Sequence, residues 1–145
     1  MPSKKEFLNL NPDKRLIMKK IETSEAPKVI GPYSQAVISG SHNIIFVSGQ
    51  LPVDPKTGML IQGDMQTLTT RVINNLEAIL HASGSSLQNV LRTDVFMTDL
   101  KEFSKMNEIY AQRFNGDVLP ARQTVQISAL PLGASIEISC IAFTK

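Results

Sequence analysis

At Asp64 the spacing of apolar residues changes from alternation to threes and fours, so that Met65, Leu68, Val72, Leu76 and Ile79 fall on one stripe. Asp64 is placed to cap the first turn and Gly84 to end the last in a left-handed conformation. A helix of about 20 residues, roughly 30 Å long, is expected. On either side the chain reads as strands: Leu16 to Ile21, Gln35 to Ser39, Ile44 to Ser48, Val90 to Thr98, then Thr124 to Ile127 and Ile136 to Ser139. A second helix starts at Asp99 with Glu102 three positions on, an Asp variant of the capping box. Phe103, Met106, Tyr110 and Phe114 form its apolar stripe, and Asn115-Gly116 stops it.

The order β-β-β-α-β-α-β-β predicts one α+β mixed sheet with two helices on one face. Two helices cover only that face, yet Ile44-Ile45-Phe46-Val47 and Ile138 to Phe143 are apolar on both sides of their strands. The surplus face needs a partner, and an oligomer is expected.

The 145 residues, 42% hydrophobic and 19% charged, suit one domain. Residues 1–17 mix Lys4, Lys5, Lys14 and Arg15 with Glu6 and Asp13, and contain no apolar stretch of roughly 7–15 residues such as a signal peptide needs. One arginine there argues against an organellar presequence, so a flexible, solvated extension ahead of a domain at 18–145, and a cytoplasmic protein, are expected. No apolar run approaches the ~20 residues of a membrane span. A single cysteine, Cys140, excludes an internal disulfide, and two histidines leave a metal site resting on carboxylates, so neither metal nor cofactor is expected. A net charge of +2 with both signs interspersed, and no tryptophan, argues against a nucleic-acid groove. His42 reads as a hairpin-tip residue, His81 as a last-turn helix residue, and Asp54 and Lys56 as turn residues.

The stretch Pro120 to Glu137, PARQTVQISALPLGASIE, carries the chemistry. Pro120 biases Leu119 away from helix, which sets Arg122 at the mouth of a strand as a rigidly mounted anion site. Leu130-Pro131-Leu132-Gly133 breaks the run before a second strand bearing Glu137, and the two charged residues read as poles of one chemical unit.

This stretch resembles the signature of the RidA (YjgF/YER057c/UK114) family of enamine and imine deaminases. So do Ile30-Gly31-Pro32-Tyr33-Ser34-Gln35-Ala36, Val47-Ser48-Gly49-Gln50-Leu51-Pro52 and Met106-Asn107-Glu108-Ile109-Tyr110-Ala111. The four segments keep the family's order from about Met18 onward. The resemblance implies a chorismate-mutase-like fold assembled as a homotrimer, with sites between subunits. It also implies hydrolysis of a 2-enamino or 2-imino acid such as 2-aminoacrylate to a 2-keto acid and ammonia. In that reading Arg122 grips the substrate carboxylate through paired N–H bonds, helped by Ser48, Gly49, Asn107 and Thr124. Glu137 orients or deprotonates the attacking water, and Tyr33 hydrogen-bonds the substrate or closes the site.

Thr124 stands where relatives frequently have cysteine and Gln123 where serine is usual, so hydrolysis is expected to be non-covalent. Ser139-Cys140 replaces a Glu-Ala pair and Leu132-Gly133 a Lys-Asp turn, both beside the site. Cys140 reads as a small buried hydrophobe. Each site residue also has a plain structural role open to it: Arg122 an interface ion-pair partner, Glu137 a sheet-edge charge, Tyr33 a packed loop aromatic, Ser48 a turn cap. A non-catalytic small-acid binder is the rival function, and a ribonuclease or translation inhibitor a weaker one.

Overall fold

A computed structural model describes residues 18–31, 33–39 and 43–145. Six strands form one sheet: β1 (Met18–Ile21), β2 (Ala36–Ser39), β3 (Ile44–Gln50), β4 (Val90–Met97), β5 (Ala121–Gln126) and β6 (Ile136–Phe143). Helix α1 (Met65–Ala82) lies between β3 and β4 in the chain, and α2 (Phe103–Arg113) between β4 and β5. The expected element order is observed. Leu16, Ile17 and the hairpin tip at His42 lie outside the described residues.

The spatial order is β1-β2-β3-β6-β4-β5. All neighbours are antiparallel except β4 and β5, which are parallel because α2 carries the chain back between them. The last strand therefore enters the middle of the sheet, and β5 forms an edge. This corrects the expectation that the arginine strand and the glutamate strand make one local unit: β4 lies between them.

Alternation sorts each strand into two faces. Ile45, Val47, Val95, Met97, Ile136, Ile138, Cys140 and Ala142 are buried in one core with Val72, Ile73, Leu76, Ile79 and Leu80 of α1 and Met106 and Tyr110 of α2. Both helices thus cover the same face. Asp64 caps α1 by accepting from the Thr67 amide at 2.8 Å, and Gly84 follows the helix at φ 75°. Inside α1, buried Asn75 donates to the Leu51 and Val53 carbonyls at 3.1 and 2.9 Å. That side chain fixes the segment leaving β3 against the helix, since a buried carbonyl without a donor costs about 1–3 kcal/mol.

The start of α2 differs from the expected capping box. Asp99 accepts from the Lys101 amide at 2.9 Å and caps a short 3-10 turn, Leu100–Glu102, ahead of the helix. Glu102 pairs with Lys105 at 3.0 Å instead of reaching back. Aspartate, with its short side chain, satisfies the nearer amide and tightens the turn. Met106, Tyr110 and Phe114 are buried as the stripe predicts, while Phe103 stays partly exposed.

Among the described residues the other face of the sheet carries no helix. Phe46 is 52%, Phe143 40% and Val125 37% exposed. Register places Val37, Phe46 and Ile141 in one row and Phe96 beside both Glu137 and Val125. This apolar surface matches the surplus face read from the strands.

Candidate functional site

The sequence-predicted residues separate into two groups on opposite faces of the sheet. Arg122, Thr124 and Asn107 lie on the helix side, where β5 aligns Arg122 with buried Thr93 and Thr124 with buried Val95. Glu137, Ser48, Gly49 and Tyr33 line a cavity of about 600 Å³ on the other side, at one end of the sheet.

The cavity wall is made by an irregularity in β3. Val47 pairs with Cys140 and Gln50 with Ile138, so Ser48 and Gly49 together oppose Ser139 alone. Such a bulge bends the strand and re-aims its residues. It brings Gly49 under Glu137: a Cβ built on Gly49 would lie 2.7 Å from the Glu137 carboxyl carbon. A side chain at this position would push the carboxylate from where it stands. Burial pushes the Glu137 carboxyl above its ordinary value, because desolvation penalises the charged form. The Ser48 hydroxyl donates to the Ser34 carbonyl at 2.6 Å, and the Ser48 amide to the Gln35 carbonyl at 3.0 Å. Ser48 thus ties the wall to the loop carrying Tyr33. The Tyr33 hydroxyl accepts from the Ile30 amide at 3.4 Å, and half the residue is exposed.

Gln35, a residue of the Ile30–Ala36 segment to which the sequence attaches no role, is decisive for that loop. It is buried, accepts from the Thr23 amide at 2.7 Å and donates to the carbonyls of Thr23 at 3.1 Å and Pro27 at 2.8 Å. One amide thereby pins both ends of the turn that precedes Tyr33. No local pattern marks a buried glutamine, because its partners are backbone groups up to 12 residues away. Leu132 stands in the turn that departs from relatives. It borders the same cavity at φ 60°.

On the helix face, the Arg122 guanidinium stacks 4.5 Å from the Tyr110 ring centre and 5.7 Å from that of Phe103. Its Nη1 donates to Asn107 Oδ1 at 2.8 Å. Tyr110 is held in turn by Thr93 through a 2.7 Å hydroxyl pair and by stacking on Phe114 at 4.4 Å. Arg122 is therefore oriented by aromatic faces and one amide, with no carboxylate partner among the described residues. Thr124, two residues on and facing the same way, has a buried hydroxyl without a hydrogen bond.

Cys140 is buried in the core and its thiol is pushed up to about 12 by desolvation, which suits a packing residue and not a nucleophile. His81 stands in the last turn of α1, and Asp54 accepts from the Lys56 amide at 2.8 Å within its turn.

A six-stranded mixed sheet with both helices on one face is a chorismate-mutase-like architecture, and solved structures share it. A protein of the conserved Rid family from Yersinia pestis superposes with a TM-score of 0.84 at 42% identity, covering 88% of this chain and 99% of that one. The endoribonuclease L-PSP family model matches residues 23–144. The chain belongs to that family, the RidA (YjgF/YER057c/UK114) family. A RutC family protein of Pyrococcus horikoshii is 48% identical over 86% of this chain and 97% of its own length. The 2-iminobutanoate/2-iminopropanoate deaminase of rat is 44% identical over 88% of this chain and 90% of its own. Among the described residues no helix is long and apolar enough to cross a membrane.

Proposed function

We propose that this chain is a hydrolytic deaminase of 2-enamino and 2-imino acids, working as a homotrimer whose sites lie between subunits. The observation that carries the reading is the Glu137 carboxylate, half-buried against Gly49 in a cavity shared with Tyr33 and Ser48. A carboxylate whose affinity for protons is raised by burial is a better base than an exposed one. The deaminase names carried by mammalian and plant relatives at 42–44% identity support the same chemistry.

Within one protomer Arg122 cannot share a ligand with Glu137, because the sheet separates them. The apolar face around Phe46, Ile141 and Phe143 offers a surface against which a second subunit can pack, and in the proposed trimer Arg122 of the partner subunit meets the Glu137 cavity. Its guanidinium then binds the substrate carboxylate through parallel N–H bonds, with Asn107 and the Thr124 hydroxyl beside it.

The reaction requires little covalent machinery. The enamine takes a proton on carbon to become the imine, and the imine carbon is electrophilic, more so when its nitrogen is protonated. Water adds through its oxygen to that carbon while Glu137 accepts the proton. Glu137 returns that proton to nitrogen, the C–N bond breaks with release of ammonia, and the carbinol O–H gives its own proton to the carboxylate as the ketone of the 2-keto acid forms. Positioning of water and substrate supplies most of the acceleration, with Tyr33 holding the substrate or closing the site.

The test is to generate 2-aminoacrylate with a dehydratase and follow pyruvate formation with and without the protein. Formation faster than the spontaneous rate is expected. Pyruvate binding without acceleration would instead make the chain a small-acid binder.

A further inference from the structure

In a single protomer, before the partner subunit proposed above contributes its residues, the cavity that holds Glu137 exceeds what a three-carbon imine requires, and much of its lining is aliphatic. Ile30, Leu51, Val53, Pro131 and Leu132 all border it. About 600 Å³ lies in the range that accommodates ligands well beyond six heavy atoms.

One of these residues stands out on backbone grounds. Leu132 adopts φ 60°, ψ 10° inside the turn between β5 and β6, a left-handed conformation that a leucine side chain disfavours and that asparagine or glycine accepts readily. In a single protomer the residue is also 64% exposed. The fold gains neither an easy turn nor a buried apolar contact from it. Backbone strain combined with an exposed apolar side chain at the mouth of a cavity is the pattern of a residue kept for what it meets there. Ile30, 75% exposed, borders the same cavity on the loop that carries Tyr33.

We infer that the site prefers 2-imino acids with longer aliphatic side chains over the smallest members of the class, and that Leu132 is the residue that sets this preference. The inference rests on the deaminase reading for its site and deepens it by naming the substrate's side chain. The carboxylate and imine ends occupy the polar groups around Glu137, and the alkyl chain runs along Leu51 and Val53 toward Leu132. Each methylene removed from water against such a wall favours binding about two- to fourfold.

The experiment has two arms. In the first, an L-amino-acid oxidase generates imines from alanine, 2-aminobutanoate, norvaline and norleucine, and the protein-dependent rate of keto-acid formation is measured for each. In the second, affinities for the corresponding stable keto acids, pyruvate to 2-oxohexanoate, are measured by calorimetry. Both kcat/KM and affinity are expected to rise with chain length, and Leu132→Asn is expected to flatten both series without lowering the melting temperature, since it relieves the strained turn. Affinity that is flat or falls with length overturns the inference even if no imine is turned over, because the second arm does not depend on catalysis. Turnover of every imine with no length dependence overturns it while leaving the deaminase reading intact. An unchanged slope in Leu132→Asn removes Leu132 from the preference.

Discussion

Arg122 and Glu137 stand on opposite faces of one sheet, with β4 between their strands: Arg122 aligns with Thr93, whose side chain is buried under α2, and Glu137 with Phe96 on the helix-free face. In the proposed mechanism two residues with this relationship act on one substrate by coming from different copies of the chain. The mechanism and the assembly are therefore one proposal, and the predictions below divide it into separable parts.

Glu137→Gln keeps the shape and removes the proton acceptor. Turnover is expected to fall about 100-fold or more with substrate affinity little changed. The active form of Glu137 is the carboxylate, and burial raises its proton affinity, so wild-type activity is lost as pH falls through a value above the ordinary 4.5 of a glutamate. The stability sign is opposite. A carboxyl whose folded pKa is raised is penalised once ionised, so the contribution present at low pH disappears as pH rises through the folded value. Glu137→Gln is thus expected to raise the melting temperature at neutral pH and to leave it unchanged below the ordinary carboxylate range. Unchanged turnover would remove Glu137 from the proton-accepting role.

Gly49→Ala tests the bulge. The added methyl cannot coexist with the present Glu137 carboxylate position, and a displacement on the order of 1 Å costs about 100-fold in rate. The wild-type circular dichroism spectrum is expected to persist, because the neighbour that must yield is a side chain. Wild-type kcat in a folded Gly49→Ala protein would show that the position of the carboxylate against the bulge does not matter.

The fold was legible because its periodicities are clean: the stripe from Met65 to Ile79 predicted α1 with its Asp64 cap, and the apolar residues on both sides of β3 and β6 predicted a helix-free apolar face. What could not be read was pairing at a distance. Nothing local places β4 between Arg122 and Glu137, since strand order is decided by how α2 and β6 pack. The bulge at Ser48-Gly49 is invisible for a related reason, being defined by the count of partner residues on β6. Gln35 and Leu132 escaped for different causes: one takes its meaning from backbone partners beyond its own segment, the other from a left-handed φ that a leucine does not announce. The site residues themselves came from the family resemblance, and composition alone offered only an arginine and a glutamate flanking a turn.

Arg122→Lys keeps the charge and changes the geometry. Loss of one charge-assisted hydrogen bond to the substrate carboxylate is expected to cost roughly 1.5–3 kcal/mol, or about 10- to 150-fold in kcat/KM. A lysine also lacks the planar face that Arg122 lays on Tyr110. The assay is run at confirmed oligomer state, so that a weakened assembly is not mistaken for a weakened site. Near wild-type kcat/KM in an intact oligomer would remove Arg122 from carboxylate recognition.

The most direct test of the shared site is complementation. Arg122→Ala and Glu137→Gln proteins, each inactive alone, are unfolded together, refolded at equal concentration, and the mixed oligomers isolated by two different affinity tags. If each site takes Arg122 from one subunit and Glu137 from another, every mixed trimer, whichever variant is in excess, holds about one site in three with both native residues. Recovery of imine hydrolysis to about that fraction of wild type is the predicted result. Mixed oligomers of confirmed composition with no activity above either parent would contradict the account.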